Sequence, residues 1–403
     1  MADIIILSTA DWDHPLWTNK QHTALALAEF GHRVLYVESL GLRAPRAGHR
    51  DLNRIIRRFL QMFQLPRPVA PRVWVWSPPV WPGGYTGCPL ALNRFLLRIG
   101  FACMARWLNF KHWIFWTYNP LSALYFDLQG QYCCVYHCVD RIQDQPGMPA
   151  ERLDVWEQRL SRAAQVVFTT SPELQASHCR WNAHTYFYGN VADFRHFNRA
   201  LQQPSLRCPQ SLSACQRPRL LFTGAIDAYK VHLPLLLALA LQHPDWSFVL
   251  VGPIGEADPS TDVADLKACP NVYFCGSQPY GDLPAWAAHA DVALLPLRLN
   301  GYTRNMFPMK FFEYLSAGLP VVATAIPALA RHGDVAWLCE PQVEAFEQAI
   351  QAALAGGGPS LDQRLHRART QTYQVRTAAM LDVLKERGLL RSTSDQAVSQ
   401  GPV

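Results

Sequence analysis

Asn305, Lys310 and Glu313 stand close together in the stretch Asn300–Thr324, which reads NGYTRNMFPMKFFEYLSAGLPVVAT. A carboxylate accepts hydrogen bonds from paired hydroxyls, an ammonium neutralises a phosphate oxygen, and an amide both donates and accepts. Together these groups suit a phosphorylated, hydroxyl-rich ligand. Lys310 and Glu313 are three apart, so a helix places them on one face, near the end where its dipole is positive. The backbone N–H groups of Phe307 and Met309 would add donors at the start of that helix, whereas Pro308 has none to give. The competing reading is a solvated Lys–Glu pair on an ordinary helix surface.

The elements around these residues follow from simple signals. Pro308 suits a first helical turn, Phe311, Phe312, Tyr314 and Leu315 supply apolar contacts, and Ala317-Gly318 closes the helix before Pro320. Leu319–Thr324 then reads as a buried parallel strand. It ends a second α/β series that begins at the strand Arg219–Thr223. Gly224-Ala225-Ile226 opens a loop toward Lys230 and a leucine-rich helix, and the strands Ser247–Val251 and Asn271–Cys275 end in Gly252 and Gly276. Asp291–Pro296 is the strand that feeds the opening stretch.

The first half has the same grammar. Ile4–Ser8 is a strand, a helix carries Ala24, Leu27 and Phe30 to a stop at Gly31, and Val34–Glu38 is the next strand, giving a right-handed βαβ unit. No G-x-G-x-x-G follows the first strand. The loop Asp11-Trp12-Asp13-His14-Pro15-Leu16-Trp17 takes its place, where open α/β sheets bind ligands, and it reads either as a ligand contact or as a Trp-anchored loop packed on its own domain. Trp113–Thr117, Cys133–Cys138 and Gln165–Thr169 read as further strands, with Asp140 just past the second of them. Cys133, Cys134, Cys138 and His137 invite a metal reading, but alternation puts His137 on the face opposite Cys138, and Cys133 opposite Cys134, so one tetrahedral site cannot close. No metal and no cofactor is expected. Leu201–Pro218, rich in Pro, Ser and Gln, marks a linker. The expected organisation is residues 1–200, a linker 201–218, a second domain 219–389 and a disordered tail 390–403. The last helix either closes the second domain or returns to the first.

A chain of 403 residues with 49% hydrophobic and 17% charged residues has room for two cores and excludes a disordered protein. A net charge of +6 without dense Lys and Arg excludes a dedicated nucleic-acid binder. The 11 scattered cysteines fit a reducing cytoplasm. The opening residues lack a basic n-region, so no signal peptide is expected. No run of 18 or more uninterrupted apolar residues occurs, so no membrane span is expected. Residues 41–72 carry Arg43, Arg46, Arg50, Arg54, Arg57, Arg58, Arg67 and Arg72 against the single acid Asp51, interleaved with Ile55, Ile56, Phe59 and Leu60. Such a segment, Arg43–Arg72, fits either an anionic membrane surface or a solvated helix face. Arg94–Trp116 is a second basic and aromatic stretch.

Gly224, Lys230, Asp291 and Glu313, in that order, resemble the nucleotide-sugar-binding domain of GT-B-fold glycosyltransferases, in the retaining clade often named family 4. Glu313-Tyr-Leu-Ser-Ala-Gly318 matches the second half of that family's Glu-to-Glu pattern. Asn305 stands where the first Glu is usual, and Ala225 where an Arg is usual. The string Asn300, Thr303, Asn305, Pro308, Lys310, Glu313 is similar to bacterial cell-surface polysaccharide glycosyltransferases of the teichuronic-acid type, as are Ser8–His22, Val135–Asp140 and Asn190–Phe197. The resemblance implies two Rossmann-like doubly wound domains facing across a cleft. It also implies a nucleotide-diphosphate-sugar donor, a glycan or lipid-linked acceptor, and metal-independent, retaining transfer in the cytoplasm or on the inner membrane face. On that basis Gly224, Ala225, Lys230, Thr303, Asn305, Phe307, Met309, Lys310 and Glu313 form the donor set, with Glu313 on the ribose hydroxyls and Lys230 on the diphosphate, where the ammonium chemistry of Lys310 adds a second cation. His14, Trp17 and Lys20 stand on the acceptor side, and Asp13 and Asp140 join Lys230 and Glu313 as catalytic candidates. Asp140, Asp13 or His14 would be the base if transfer inverts. The alternatives are a GT-B-fold nucleotide-sugar epimerase and a degenerate, non-catalytic nucleotide-sugar-binding protein.

Overall fold

The computed structural model describes residues 1–41, 65–80, 85–128 and 133–390. Arg43, Arg46, Arg50, Arg54, Arg57 and Arg58 of the basic segment, and the expected tail from 391, lie outside the described residues.

The chain forms two compact units. The first comprises Met1–Gln143, Gly147–Tyr188 and the chain from Arg376, and the second Asp144–Pro146 and Gly189–Val375. The division falls at Gly189, ahead of the Pro-rich segment read as a linker. Helix Phe194–Gln202 buries Phe197, and Leu212 and Cys215 of the linker are buried with it in the core of the second unit. Polar composition marked a surface-running segment there, while two apolar side chains anchor it. The final helix, Tyr373–Glu386, contributes Met380, Leu381 and Leu384 to the core of the first unit.

In the first unit the strands are β1 (Asp3–Leu7), β2 (Arg33–Val37), β3 (Arg67–Ala70), β4 (Val73–Trp76), β5 (Trp113–Thr117), β6 (Cys133–Cys138), β7 (Val166–Thr169) and β8 (Thr185–Phe187). They form one sheet in the order β3-β4-β2-β1-β5-β6-β7-β8, parallel except for β3 against β4. β1 shows why this sequence makes a covered parallel strand. Ile4 and Ile6 enter one core layer, Ile5 and Leu7 the other, and all four are fully buried. Each such side chain contributes about 1.5–3 kcal/mol of burial. The direction of winding reverses between β1 and β5, so the loops that follow these two strands flank the switch point.

The second unit has β9 (Arg219–Thr223), β10 (Ser247–Val251), β11 (Val272–Phe274), β12 (Val292–Leu295), β13 (Val321–Thr324) and β14 (Trp337–Cys339). Its sheet is parallel throughout, in the order β11-β10-β9-β12-β13-β14. Leu221, Ala293 and Ala323 face one core layer, and Leu220, Phe222 and Leu294 the other. Here the switch point lies between β9 and β12, so the loop from Gly224 to Lys230 and the stretch from Pro296 to Lys310 leave the sheet side by side.

One helix departs from the sequence expectation about membrane spans. Gly87–Trp107 is 21 residues long and, by length and composition only, apolar enough to cross a membrane, although Asn93, Arg94 and Arg98 interrupt its apolar run. Phe101 anchors it in the core of the first unit, packing on Trp76, Phe115 and Phe126.

Candidate functional site

The functional stretch of the second unit is built as loop, short helix and strand. Helix Gly301–Arg304 starts with a capping box between Asn300 and Thr303, helix Lys310–Ser316 follows the Phe307-Pro308-Met309 turn, and β13 follows that. Three side chains fix helix Lys310–Ser316 in place. The buried Asn190 donates to the Phe307 carbonyl at 2.6 Å, the buried Asn198 donates to the Ser316 carbonyl at 3.0 Å, and the Tyr314 hydroxyl accepts from the Thr223 N–H at 2.7 Å. The last of these joins the helix to the end of β9, one residue before Gly224. Sequence reasoning took Tyr314 as an apolar contact, because spacing shows where a ring goes and not what its hydroxyl meets.

Lys310 and Glu313 lie together on one helical turn. Lys310 Nζ donates to Glu313 Oε2 at 2.7 Å, and the Glu313 side chain is 2% exposed, so this is a desolvated pair and not surface decoration. Glu313 Oε1 has no hydrogen bond among the described residues. The amides of Phe307 and Met309 likewise carry none among the described residues. Carboxylate, ammonium and two backbone donors therefore stand within one short segment.

Lys230 is held in a similar way. Its Nζ lies 3.2 Å from Oδ2 of the fully buried Asp227, whose Oδ1 accepts from the amides of Ala257 and Asp258 at 3.0 and 3.1 Å. Sequence reasoning missed Asp227, although its position three residues before the lysine was a usable signal. Gly224 (φ +141°) and Gly252 (φ +149°) end β9 and β10 and touch backbone to backbone, while Ala225 is buried just beyond. The Thr303 hydroxyl is buried in the capping box, where it accepts from the Asn300 N–H at 3.0 Å. Asn305 donates from Nδ2 to the Gly301 carbonyl at 2.7 Å, holding its own helical turn. Asp291 stands at the opposite end of the strands from these loops, accepting from the Arg219 N–H at 2.7 Å and pairing with Arg217.

His332 lies under this stretch, ring to ring with Phe307, Phe311 and Phe312, and is buried. Burial first, and the Arg367 guanidinium beside it second, push its pKa down to about 4. The unfolded chain, with a pKa near 6.5, then binds more protons than the folded one between pH about 4 and 6.5. Stability from this residue is complete above that window and is lost as pH falls through it. His332→Gln keeps an acceptor for Arg367 and does not titrate. Between pH 7 and 4 the parent is expected to lose about 2–3 kcal/mol more than this variant in chemical denaturation, and equal losses would refute the assignment.

The first unit brings together a different group. Helix Asn19–Glu29 starts from the loop after β1 and buries Asn19, Lys20, Gln21, His22 and Thr23 in its opening turns. Lys20 has its pKa lowered by burial, opposed by the negative charge of Asp140, and its ammonium lies 5.8 Å from the Tyr118 ring centre. Lys20 and Asp140 thus interact just beyond the ends of β1, β5 and β6. Arg376 of the final helix joins them from behind, donating to Asn19 Oδ1 at 2.8 Å and to Thr23 Oγ1 at 3.1 Å. Sequence order gave no hint of it. Trp17 packs edge-on against Trp12 and His22, at 5.4 and 5.3 Å. His14 Nδ1 accepts from the Leu16 N–H at 3.1 Å, and the exposed Asp13 pairs with Arg67 on β3.

Alternation along β6 separates His137 from Cys134 and Cys138, as strand geometry requires. Cys138 nonetheless meets Glu157 and His178 from neighbouring helices, and the three offer ligand atoms within 4.8 Å of one another. The donor set is chemically able to hold a transition metal. In this structure the carboxylate of Glu157 is satisfied from within, by the Tyr136 hydroxyl at 2.6 Å and Gln143 Nε2 at 2.7 Å.

Two Rossmann-like α/β units, each with its loops gathered at the carboxyl ends of parallel strands, define the GT-B fold. The chain has that fold, and its residues 217–356 match the family model for glycosyl transferases group 1. It is 33% identical over 110 residues to a Bacillus subtilis (strain 168) protein described as a teichuronic acid biosynthesis glycosyltransferase, TuaH, a match spanning 27% of each chain. Among solved structures it is similar to sucrose-phosphate synthase from Thermosynechococcus elongatus, with a TM-score of 0.70 and 18% identity over 96% of this chain and 100% of that one. It is also similar to Anabaena HepE, solved in complex with UDP-glucose, with a TM-score of 0.63 and 14% identity over 96% of this chain and 100% of that one.

Proposed function

We propose that the chain transfers a sugar from a nucleoside-diphosphate-sugar, without a metal, to a glycan or lipid-linked acceptor of a cell-surface polysaccharide, on the cytoplasmic side of a membrane. The observation that carries this reading is the desolvated Lys310–Glu313 pair at the switch point, beside the Gly224–Lys230 loop. Glu313 Oε1 accepts from the ribose hydroxyls. Lys310, already held within 2.7 Å of Oε2, and Lys230, held by Asp227, turn their ammonium groups to the diphosphate, where charge grows as the sugar–phosphate bond breaks. The amides of Phe307 and Met309 add two fixed donors to the same oxygens. Asn305 offers the sugar an amide where a carboxylate is usual in the family that the sequence resembles. On the acceptor side Asp140, in the electrostatic field of Lys20, handles the proton of the incoming hydroxyl.

The similarity to a teichuronic-acid enzyme supports the cell-surface acceptor, and the UDP-glucose complex of HepE makes a UDP-sugar the first donor to try. The test is release of free nucleoside diphosphate from a panel of donors, with and without a membrane lipid extract as acceptor source. Steady release that disappears in Lys230→Met is the expected result. Saturable donor binding with no release under any acceptor condition would overturn the reading in favour of a nucleotide-sugar sensor.

A further inference from the structure

We infer that helix Gly87–Trp107 is an interfacial anchor that lays its outer face into an anionic lipid surface. The helix buries one stripe in its own unit, Asn93, Leu97, Phe101 and Ala105, each four residues after the last, with Leu90 and Met104 partly buried beside it and Arg94 donating from Nε to the Leu124 carbonyl at 2.8 Å. The opposite line, displaced by half a turn, carries Leu92, Phe95 and Ile99, which are 46%, 60% and 46% exposed. Trp107 at the end of the helix is 49% exposed. Only 22% of the apolar window is buried. A helix on the surface of a globular domain normally turns polar side chains outward. This one turns outward large apolar groups from Leu92 to Trp107, a length of about 22 Å, which marks an interaction surface.

Charge selects the occupant. The helix, GCPLALNRFLLRIGFACMARW, carries Arg94, Arg98 and Arg106 and no acidic residue. Arg94 and Arg98 sit one turn apart on the flank of the apolar line, and Lys111 follows the helix, exposed. Apolar groups facing out with cations at the margin match the boundary between acyl chains and anionic headgroups. A second copy of this chain fits less well, because a two-fold contact would set these arginines against themselves with no carboxylate to pair. A spanning arrangement is excluded by the inner stripe. Phe101 is 4.9 Å from Phe126 and 5.7 Å from Trp76, and Gly100 rests so closely on Trp76 that a Cβ there would lie 2.5 Å from its ring. The helix therefore lies flat. This inference stands apart from the transferase reading and would hold if no donor were ever turned over.

The test is co-sedimentation of the full chain with vesicles of phosphatidylcholine alone and of phosphatidylcholine mixed with phosphatidylglycerol. Binding to the mixed vesicles is expected to be at least about tenfold tighter, and to weaken as salt is raised. Phe95→Glu combined with Ile99→Glu changes two exposed side chains and is expected to keep the parent melting temperature while losing at least about tenfold in binding. Arg94→Gln combined with Arg98→Gln is expected to narrow the preference for anionic vesicles. Absence of parent binding to either vesicle overturns the inference, as does unchanged binding by the Glu variant, which would place the contact elsewhere in the chain. A dimer in light scattering that the Glu variant dissociates, with no lipid binding by the parent, would make this face a contact between copies instead.

Discussion

Glu313→Gln is expected to weaken binding of a nucleoside diphosphate by about 2–3 kcal/mol, a loss of roughly 30- to 150-fold. The reason is chemical. A carboxylate whose one oxygen is committed to Lys310 offers the other as a charged acceptor, and it does so from a side chain only 2% exposed, where water competes poorly. An amide of the same shape accepts more weakly, and its NH2 group faces either the ribose hydroxyls or the Lys310 ammonium with a donor. Lys310 also loses the anion that fixes its position, so the diphosphate end weakens with the ribose end. The measurement is calorimetric titration of UDP, and of the other nucleoside diphosphates, into parent and variant. A control for folding is at hand, because Tyr314 and Asn198 hold the helix independently of this pair. The melting temperature should therefore fall by only a few degrees, whereas affinity collapses. Unchanged affinity would remove Glu313 from the site.

Much of this was written in the sequence, and the reasons differ from residue to residue. The buried strands were plain, since residues 4–7 and 321–323 are apolar on both faces, which only a covered parallel sheet requires. Glycines at strand ends marked the loops correctly, because Gly224, Gly252 and Gly276 all adopt positive φ. What the sequence hid were partnerships. Asp227 beneath Lys230, the Tyr314 hydroxyl on Thr223, and Arg376 on Asn19 and Thr23 join positions that only the folded chain brings together. Helix Gly87–Trp107 was hidden for another reason. Helix periodicity is recognised by a polar outer face, and this helix has apolar residues there.

The largest stability effect is expected at Gly252, where one methyl group has no place to go. A Cβ there would lie 1.9 Å from the Gly224 carbonyl oxygen and 2.7 Å from its carbon, and both belong to backbone that no rotamer change can move aside. The residue also holds φ +149°, which L side chains avoid. Gly252→Ala should therefore cost about 3–5 kcal/mol, the sum of backbone strain and steric overlap. Gly276→Ala separates the two contributions. That position, φ +65°, has nothing within 4 Å of its added Cβ, so it should cost only the left-handed penalty of about 1–2 kcal/mol. The two glycines are joined by the Gly252 N–H donating to the Gly276 carbonyl at 2.8 Å, while Gly224 donates to Val251 at 2.9 Å. Pushing residue 252 away therefore displaces Gly224 and the loop that carries Lys230. The alanine at 252 should reduce donor affinity as well as stability, and the alanine at 276 should leave donor affinity near the parent value. Urea denaturation and nucleotide titration of both variants decide the matter. Equal stability losses would mean that close backbone approach is not what demands glycine at 252, and an unaltered donor affinity in Gly252→Ala would uncouple this contact from the binding loop.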